Sequence, residues 1–376
     1  MIPVFKPYLD KNEHQAAQRA LKIGWLGQGK FVGDFEKKIS DFLGIKKERV
    51  VCVNTGTSAL KVAFHLAGVC HGDEVITPSF NNIGVIQSIT DLGAKPVFCD
   101  VKYDDMTMNP ENITELINSK TKAINCLDYA SNLCDLKNIK KIAKKFKLKL
   151  IYDAAHSFGS KRNGKFIGSD DNLCTFSFDP VKTITSVDGG AIIFKSIKDA
   201  QKARSLRLLG QIQSQKILYQ NSRSWVYDVK DQGYRFHLSN INASIGIEQI
   251  KKIKEIATKR IKVFLNLDKN LKKINMLILP KKLEKGIVPF IYVVRLKRSR
   301  DKVMNFMRKN NIDCGIHWQP CHKFSKFKKS KSGNLKITQK IGKEVLTLPM
   351  YPSLSTQEIK RISKYLSIAI DKFCKN

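Results

Sequence analysis

"IYDAAHSFG" (151–159) carries an apolar run into an aspartate and, three positions later, a histidine. Extended back to "LKLIYD" (148–153), the run has the length and apolar character of a buried strand. An acid at the carboxyl end of such a strand stands where an open α/β sheet binds its ligands. Six further runs have the same strand character: "RVVCVN" (49–54), "DEVITP" (73–78), "AKPVFCDV" (94–101), "TKAINCL" (121–127), "CTFSF" (174–178) and "GAIIF" (190–194). Helix-length segments separate the earlier ones, for example 57–68 and 135–147. Strands alternating with helices imply an α/β fold, here a mostly parallel seven-stranded sheet flanked by helices.

Beyond it the period changes. "HLSNINASIGIEQIKKIKEIATKRIKVFLNLDKNL" (237–271) reads as one long helix, capped near Ser239 or Asn240, with Leu238, Ile241, Ile245, Gln249 and Ile253 along one face. Two strand candidates, "NMLILP" and "GIVPFIYVVRL", then helices near 299–310 and 355–373, complete a smaller C-terminal α+β domain. The expected division is therefore a large domain with its N-terminal segment at 1–250 and a small one at 251–376.

A chain of 376 residues is long enough for two such domains. No segment approaches the roughly 18 uninterrupted apolar residues of a membrane span, and "MIPVFKPYLDKNEH" lacks a secretory pattern, so a cytoplasmic protein is expected. Nine cysteines without a C-x-x-C pair read as reduced thiols, not as a metal site. The formal charge of +34 is concentrated in the last third: residues 251–376 hold 32 Lys and Arg against 8 Asp and Glu, the first 250 hold 35 against 25. "KFSKFKKSKSGNLK" (323–336) reads as a solvated, flexible loop. In the absence of helix-turn-helix, zinc-finger or RNP-like patterns, this excess points to a field that draws in an anionic small substrate, not to nucleic acid.

A buried carboxylate needs a cationic or donor partner. Asp153 could cap a following turn, or it could face the protonated nitrogen of a pyridine ring and hold that proton in place, with His156 reaching the ring's phenolic oxygen. Lys182 follows Ser177 in "SFDPVK", just past a strand end; a lysine in a partly desolvated setting loses its proton readily, as an imine-forming amine must. Ser177 can donate its hydroxyl to a phosphate oxygen. "NTGTSAL" (54–60) follows a strand and opens a helix, so the N–H groups of Gly56, Thr57 and Ser58 form an anion site. A phosphate cradle, a base-anchoring acid and an imine lysine in one sheet meet the requirements of pyridoxal phosphate chemistry.

These motifs, with "GWLGQGKFVGDFEKKI" (24–39), "GDEVITPSF" (72–80), "DGGAIIF", "GYRFHLSNINASIGIEQI" (233–250), "GIHWQPCH" (315–322) and "LPMYPSL" (348–354), give the chain a near end-to-end resemblance to the DegT-type nucleotide-sugar aminotransferases, which share the fold type I architecture of aspartate aminotransferase. The resemblance implies pyridoxal 5'-phosphate as cofactor. It makes Lys182 the Schiff-base lysine and proton shuttle, Asp153 the ring-nitrogen partner and His156 the ring-oxygen contact, with Gly56, Thr57 and Ser177 on the phosphate. It also implies a homodimer with shared active sites, which transfers an amino group from L-glutamate to a nucleotide-linked keto sugar. "GWLGQG" resembles members acting at C4 of a 4-keto-6-deoxy sugar, for amino-sugar or surface polysaccharide biosynthesis. Arg235, His317 and His322 become expected substrate contacts. Two positions depart from the family pattern: Asn82 stands where relatives place a stacking aromatic ring, and Gly233 where they place a phosphate-contacting asparagine. They keep open a non-catalytic binder of cofactor or nucleotide sugar. The family's pyridoxamine-dependent sugar dehydratases are a further alternative, but they carry histidine where this chain has Lys182.

Overall fold

The computed structural model describes residues 1–170 and 172–374. Its main sheet contains seven strands: β1 (Val50–Val53), β2 (Glu74–Pro78), β3 (Lys95–Cys99), β4 (Thr121–Leu127), β5 (Lys149–Asp153), β6 (Leu173–Ser177) and β7 (Gly190–Ile193). They lie in the order β1-β7-β6-β5-β4-β2-β3, and only β7 runs antiparallel to its neighbours. This is the mostly parallel sheet expected from the alternating runs, with each strand within a residue or two of its predicted bounds.

Helices cover both faces. Successive side chains of a strand point to opposite sides, and β1 shows it: Val50 and Cys52 join one core, Val51 and Val53 another. The first core is closed by α1 (Lys11–Ile23) at its rim and by Val32, Phe35 and Ile39 of α2 (Lys30–Leu43). The opposite face is covered by Leu60 and Phe64 of α3 (Gly56–Leu66) and Val85 and Ile89 of α4 (Ile83–Thr90). Helix α5 (Leu136–Lys145) adds Ile139 to the first side, and α6 (Ile197–Leu206) adds Ala203 to the second.

The long helix expected over 237–271 is two: α7 (Asn240–Lys251), capped by Ser239, and α8 (Ile253–Leu271). At the break Lys252 has φ −106° and ψ 16°, and its ammonium is bound by Asp10 and Glu13 at 2.9 and 2.7 Å. The expected face is also shifted. Leu238, Gln249 and Ile253 are buried, but Ile241 and Ile245 are only half-buried, and the inward positions are Ala243, Gly246, Ile247 and Ile250. The cause is close helix approach: a Cβ on Gly246 would come within 2.5 Å of the Phe35 ring, so α7 packs on α2 through its small residues.

Helix α8 serves another core, built with the antiparallel sheet β8 (Leu277–Ile278), β9 (Tyr292–Leu296) and β10 (Val345–Leu348), helices α9 (Arg300–Lys309) and α11 (Thr356–Phe373), and Ile2 from the chain's start. Strand β10 and the preceding α10 (Lys336–Glu344) were not anticipated. The lysine-rich stretch before them is not a free loop: Phe327 and Leu335 are buried against Phe98 and Cys321 while the lysines around them face outward. The cysteines are unpaired, and all but Cys70 are buried.

Candidate active site

Strands β1, β4, β5 and β6 end along one edge of the sheet, and the residues that follow them line a cavity of about 420 Å³. It brings together Gly56, Thr57, Asp153, His156, Ser177 and Lys182, with His317 and Trp318 arriving from the far part of the chain.

The cavity floor is a helix start. Thr55 is the N-cap of α3 and its Oγ1 accepts from the Ser58 N–H at 2.9 Å. The anion site is thus narrower than the sequence suggested, because Ser58 N–H is already committed and the N–H groups of Gly56 and Thr57 remain. Ser177 comes up against this turn so closely that a Cβ on Gly56 would lie 2.7 Å from its Cβ and 2.9 Å from its Oγ. Two free helix N–H groups beside a hydroxyl form a cradle for an anion.

Asp153, the last residue of β5, is buried, and its Oδ1 accepts from the Ala155 N–H at 3.0 Å. It therefore does cap the following turn, with one oxygen, while the carboxylate also lines the cavity. Burial pushes its pKa up to about 6, against the pull of the Ala155 N–H and of Lys182. Such a carboxylate gains from a cationic partner in the cavity.

His156 is held in one tautomer: its Nδ1 accepts from the Ala130 N–H at 3.2 Å, which leaves the proton on Nε2. Burial, then Lys182 and His317, keep the ring neutral, with its pKa well below the usual value. The ring packs on Phe290 at 4.3 Å between centroids and runs nearly parallel to Trp318 at 6.0 Å. Lys182 is enclosed by protein, although the cavity leaves part of its side chain accessible. Burial lowers the pKa of its amine, with Asp153 and Asp179 partly offsetting the effect, and Nζ stands 4.6 Å from the centre of the Phe290 ring.

The three expected substrate contacts separate. His317 lines the cavity, but burial and Lys182 push its pKa down to about 4, so it is a neutral hydrogen-bonding group and not a cation for phosphate. His322 lies outside the lining, with Nδ1 at 2.7 Å from Ser79 Oγ. Arg235 lies in a different cleft, beside Gln28 and Trp225. The two departures from pattern have structural reasons. Asn82 lines the cavity and is the N-cap of α4, its Oδ1 accepting from the Gly84 N–H at 2.7 Å. Phe80 cannot replace the missing ring, because it is fully buried against Tyr129. At Gly233 any Cβ would overlap the backbone nitrogen of Gly210. The aromatic faces that sequence reasoning missed are Phe5 and Trp318; the only signal was Trp318 inside "GIHWQPCH".

The profile of the DegT/DnrJ/EryC1/StrS aminotransferase family matches residues 7–367. The chain belongs to this aminotransferase family. It is 31% identical to the GDP-perosamine synthase of Caulobacter vibrioides over 96% of each chain. The crystal structure of the aminotransferase TlmJ from Streptoalloteichus hindustanus superposes with a TM-score of 0.90 at 28% identity, over 99% of both chains. A putative sugar aminotransferase of Streptococcus pneumoniae, solved in its PLP form, shares the fold at TM-score 0.89 and 23% identity over 99% of both chains. DegT-family aminotransferases use pyridoxal phosphate. The cavity fits that cofactor: the Gly56–Ser177 cradle suits its phosphate, the buried Asp153 a ring nitrogen, and the amine of Lys182 its aldehyde.

Proposed function

We propose that the protein transfers an amino group from L-glutamate to the keto carbon of a nucleotide-linked sugar, a 4-keto-6-deoxy sugar, in the cytoplasm and as a homodimer with shared active sites. The observation that carries this reading is the convergence of Lys182, Asp153 and His156 on one cavity floored by the start of α3. The 31% identity to a GDP-perosamine synthase supports a nucleotide-linked sugar as acceptor. No helix among the described residues is long and apolar enough to cross a membrane.

Pyridoxal phosphate, when bound, supplies an electron sink for the pair of electrons left at carbon when a proton departs. The chain's residues do the rest. The N–H groups of Gly56 and Thr57 and the hydroxyl of Ser177 bind the phosphate. Asp153, whose free oxygen seeks a positive partner, holds a proton on the ring nitrogen. His156, with its proton on Nε2, would donate it to the ring oxygen. Lys182, with its pKa lowered by burial, is a neutral amine for a larger fraction of its time near pH 7 than an exposed lysine, and would serve as the base that takes the proton from the amino acid's α-carbon and returns it later in the transfer. Trp318, His317 and Phe5 line the same cavity from the far part of the chain and from its start. The expected division at residue 250 would set Lys182 and its partners in the large domain and Trp318 in the small one.

Incubation with glutamate and a panel of 3- and 4-keto nucleotide sugars, followed by mass spectrometry, tests the proposal. It predicts an amino sugar from a 4-keto member and matching 2-oxoglutarate. A protein that shows the cofactor's absorbance but neither consumes glutamate nor aminates any ketosugar would be a binder and not this enzyme.

A further inference from the structure

Helix α8 carries Val263, Phe264 and Leu267 into the second core, yet three positions before Val263 it buries a guanidinium, Arg260, 2% exposed. Arg260 Nη1 donates to the Phe290 carbonyl at 3.0 Å and Nη2 to the Lys182 carbonyl at 3.1 Å. Nε has no hydrogen-bond partner among the described residues, and no described charged group acts on the guanidinium. Burial alone displaces its pKa, down to about 10. A buried charge without a counter-charge is costly, and two carbonyl acceptors compensate it only in part.

The choice of those carbonyls is informative. One belongs to Lys182. The other belongs to Phe290, whose ring stands 4.6 Å from the Lys182 amine and 4.3 Å from the His156 ring. A single planar fork therefore fixes the backbone of the amine-bearing residue and the backbone of the ring that supports both amine and imidazole. A guanidinium presents its donors in a rigid plane, which an ammonium cannot do.

We propose that Arg260 is a positioning residue for Lys182: it locks the carbonyls of Lys182 and Phe290 in fixed relation, so that the amine is held against the Phe290 ring and kept desolvated. It acts through the backbone and lines no part of the cavity. This rests on the proposed role of Lys182. The charged and titratable groups that face the amine are Asp153 from β5, Asp179 from the amine's own loop, and His156 and His317; none is altered by changing Arg260.

The test uses full-length wild type, Arg260→Met and Arg260→Lys. Competitive acetylation of the protein freed of cofactor, followed across pH by mass spectrometry of the Lys182 peptide, gives the midpoint of that amine. Turnover and KM are measured after loading with pyridoxal phosphate, well below each variant's Tm. Arg260→Met raises the Lys182 midpoint toward that of an ordinary lysine and lowers kcat by up to about a hundredfold, the scale of a 1 Å misplacement, with KM for the amino donor little changed. Arg260→Lys, with the charge but not the fork, falls between. An unchanged midpoint in both variants overturns the proposal, as does a loss of turnover that only follows the unfolded fraction. If the methionine variant does not fold, the lysine variant gives the same readout. The two readings fail separately: a wild type without transaminase activity but with the midpoint shift in the variants rejects the enzyme, and an active wild type with no shift rejects the positioning.

Discussion

Asp153 accepts one turn hydrogen bond and is buried at the cavity wall, and that environment sets the sign of a stability effect. Its folded pKa, about 6, lies above the roughly 3.9 of an unfolded aspartate, so between those values the native chain holds more protons than the unfolded one. Stability of the cofactor-free protein should thus decline as pH rises from about 4 to 6, and the lost amount, about 3 kcal/mol, persists at neutral pH. Asp153→Asn keeps the acceptor for Ala155 N–H and removes the charge. Denaturant unfolding should find it more stable than wild type at pH 7 and equal to it at pH 4, while its turnover drops; equal stability at both values would mean that the carboxylate is not desolvated. At this scale the sequence was informative, because Asp153 ends a strand and Lys182 lies five residues beyond another, and both strands are ones that any parallel-sheet reading recovers. It was silent on Phe5 and Arg260, whose roles depend on which distant segment lands beside them.

The start of α3 sets a local propensity against a tertiary contact. Replacing Gly56 by Ala at the first turn of a helix should help on propensity alone, by as much as about 1 kcal/mol. Here the new Cβ would meet Ser177 at 2.7 Å, and overpacking of that kind costs about 1–3 kcal/mol. Gly56→Ala should therefore weaken binding of pyridoxal phosphate and lower Tm, as a fluorescence titration and a thermal melt would report; an unchanged affinity would mean that the phosphate sits elsewhere. Gly246→Ala poses the same conflict at the α2–α7 contact, away from the cavity, and should lower Tm with cofactor affinity retained. These contacts also explain what hydrophobic periodicity could not recover. The inward face of α7 is set by Ala243 and Gly246 with Ile247 and Ile250, not by Ile241 and Ile245, and at the break Lys252 is bound by acids more than two hundred residues upstream. Strand β10 was missed because its pairing with β9, and not any run of its own length, defines it.

Across the whole molecule, the excess of positive charge acts on rates more than on the fold. A diphosphate-bearing substrate should be drawn in by this field, and raising ionic strength from low to physiological levels shortens its reach to about 8 Å. The account predicts that kcat/KM for the nucleotide sugar falls several-fold with added salt while kcat hardly changes. A kcat/KM indifferent to salt would show that the basic surface serves another purpose. The charge total was legible from composition, but its distribution about the cavity was not. His317 reached the cavity as a neutral ring and His322 turned to Ser79, because the chain's return from the second core decides their places, while Arg235, which bridges Leu208, entered another cleft.

The claim on which the account depends is that one amine, among the many of this lysine-rich chain, meets the cofactor opposite Asp153. Loading the protein with pyridoxal phosphate, reducing it with borohydride and mapping the modified peptides by mass spectrometry addresses it directly. The account predicts a stable pyridoxyl group on Lys182 alone, lost in Lys182→Ala along with turnover. A pyridoxyl group on another lysine, or a Lys182→Ala variant that still transfers the amino group, would contradict it.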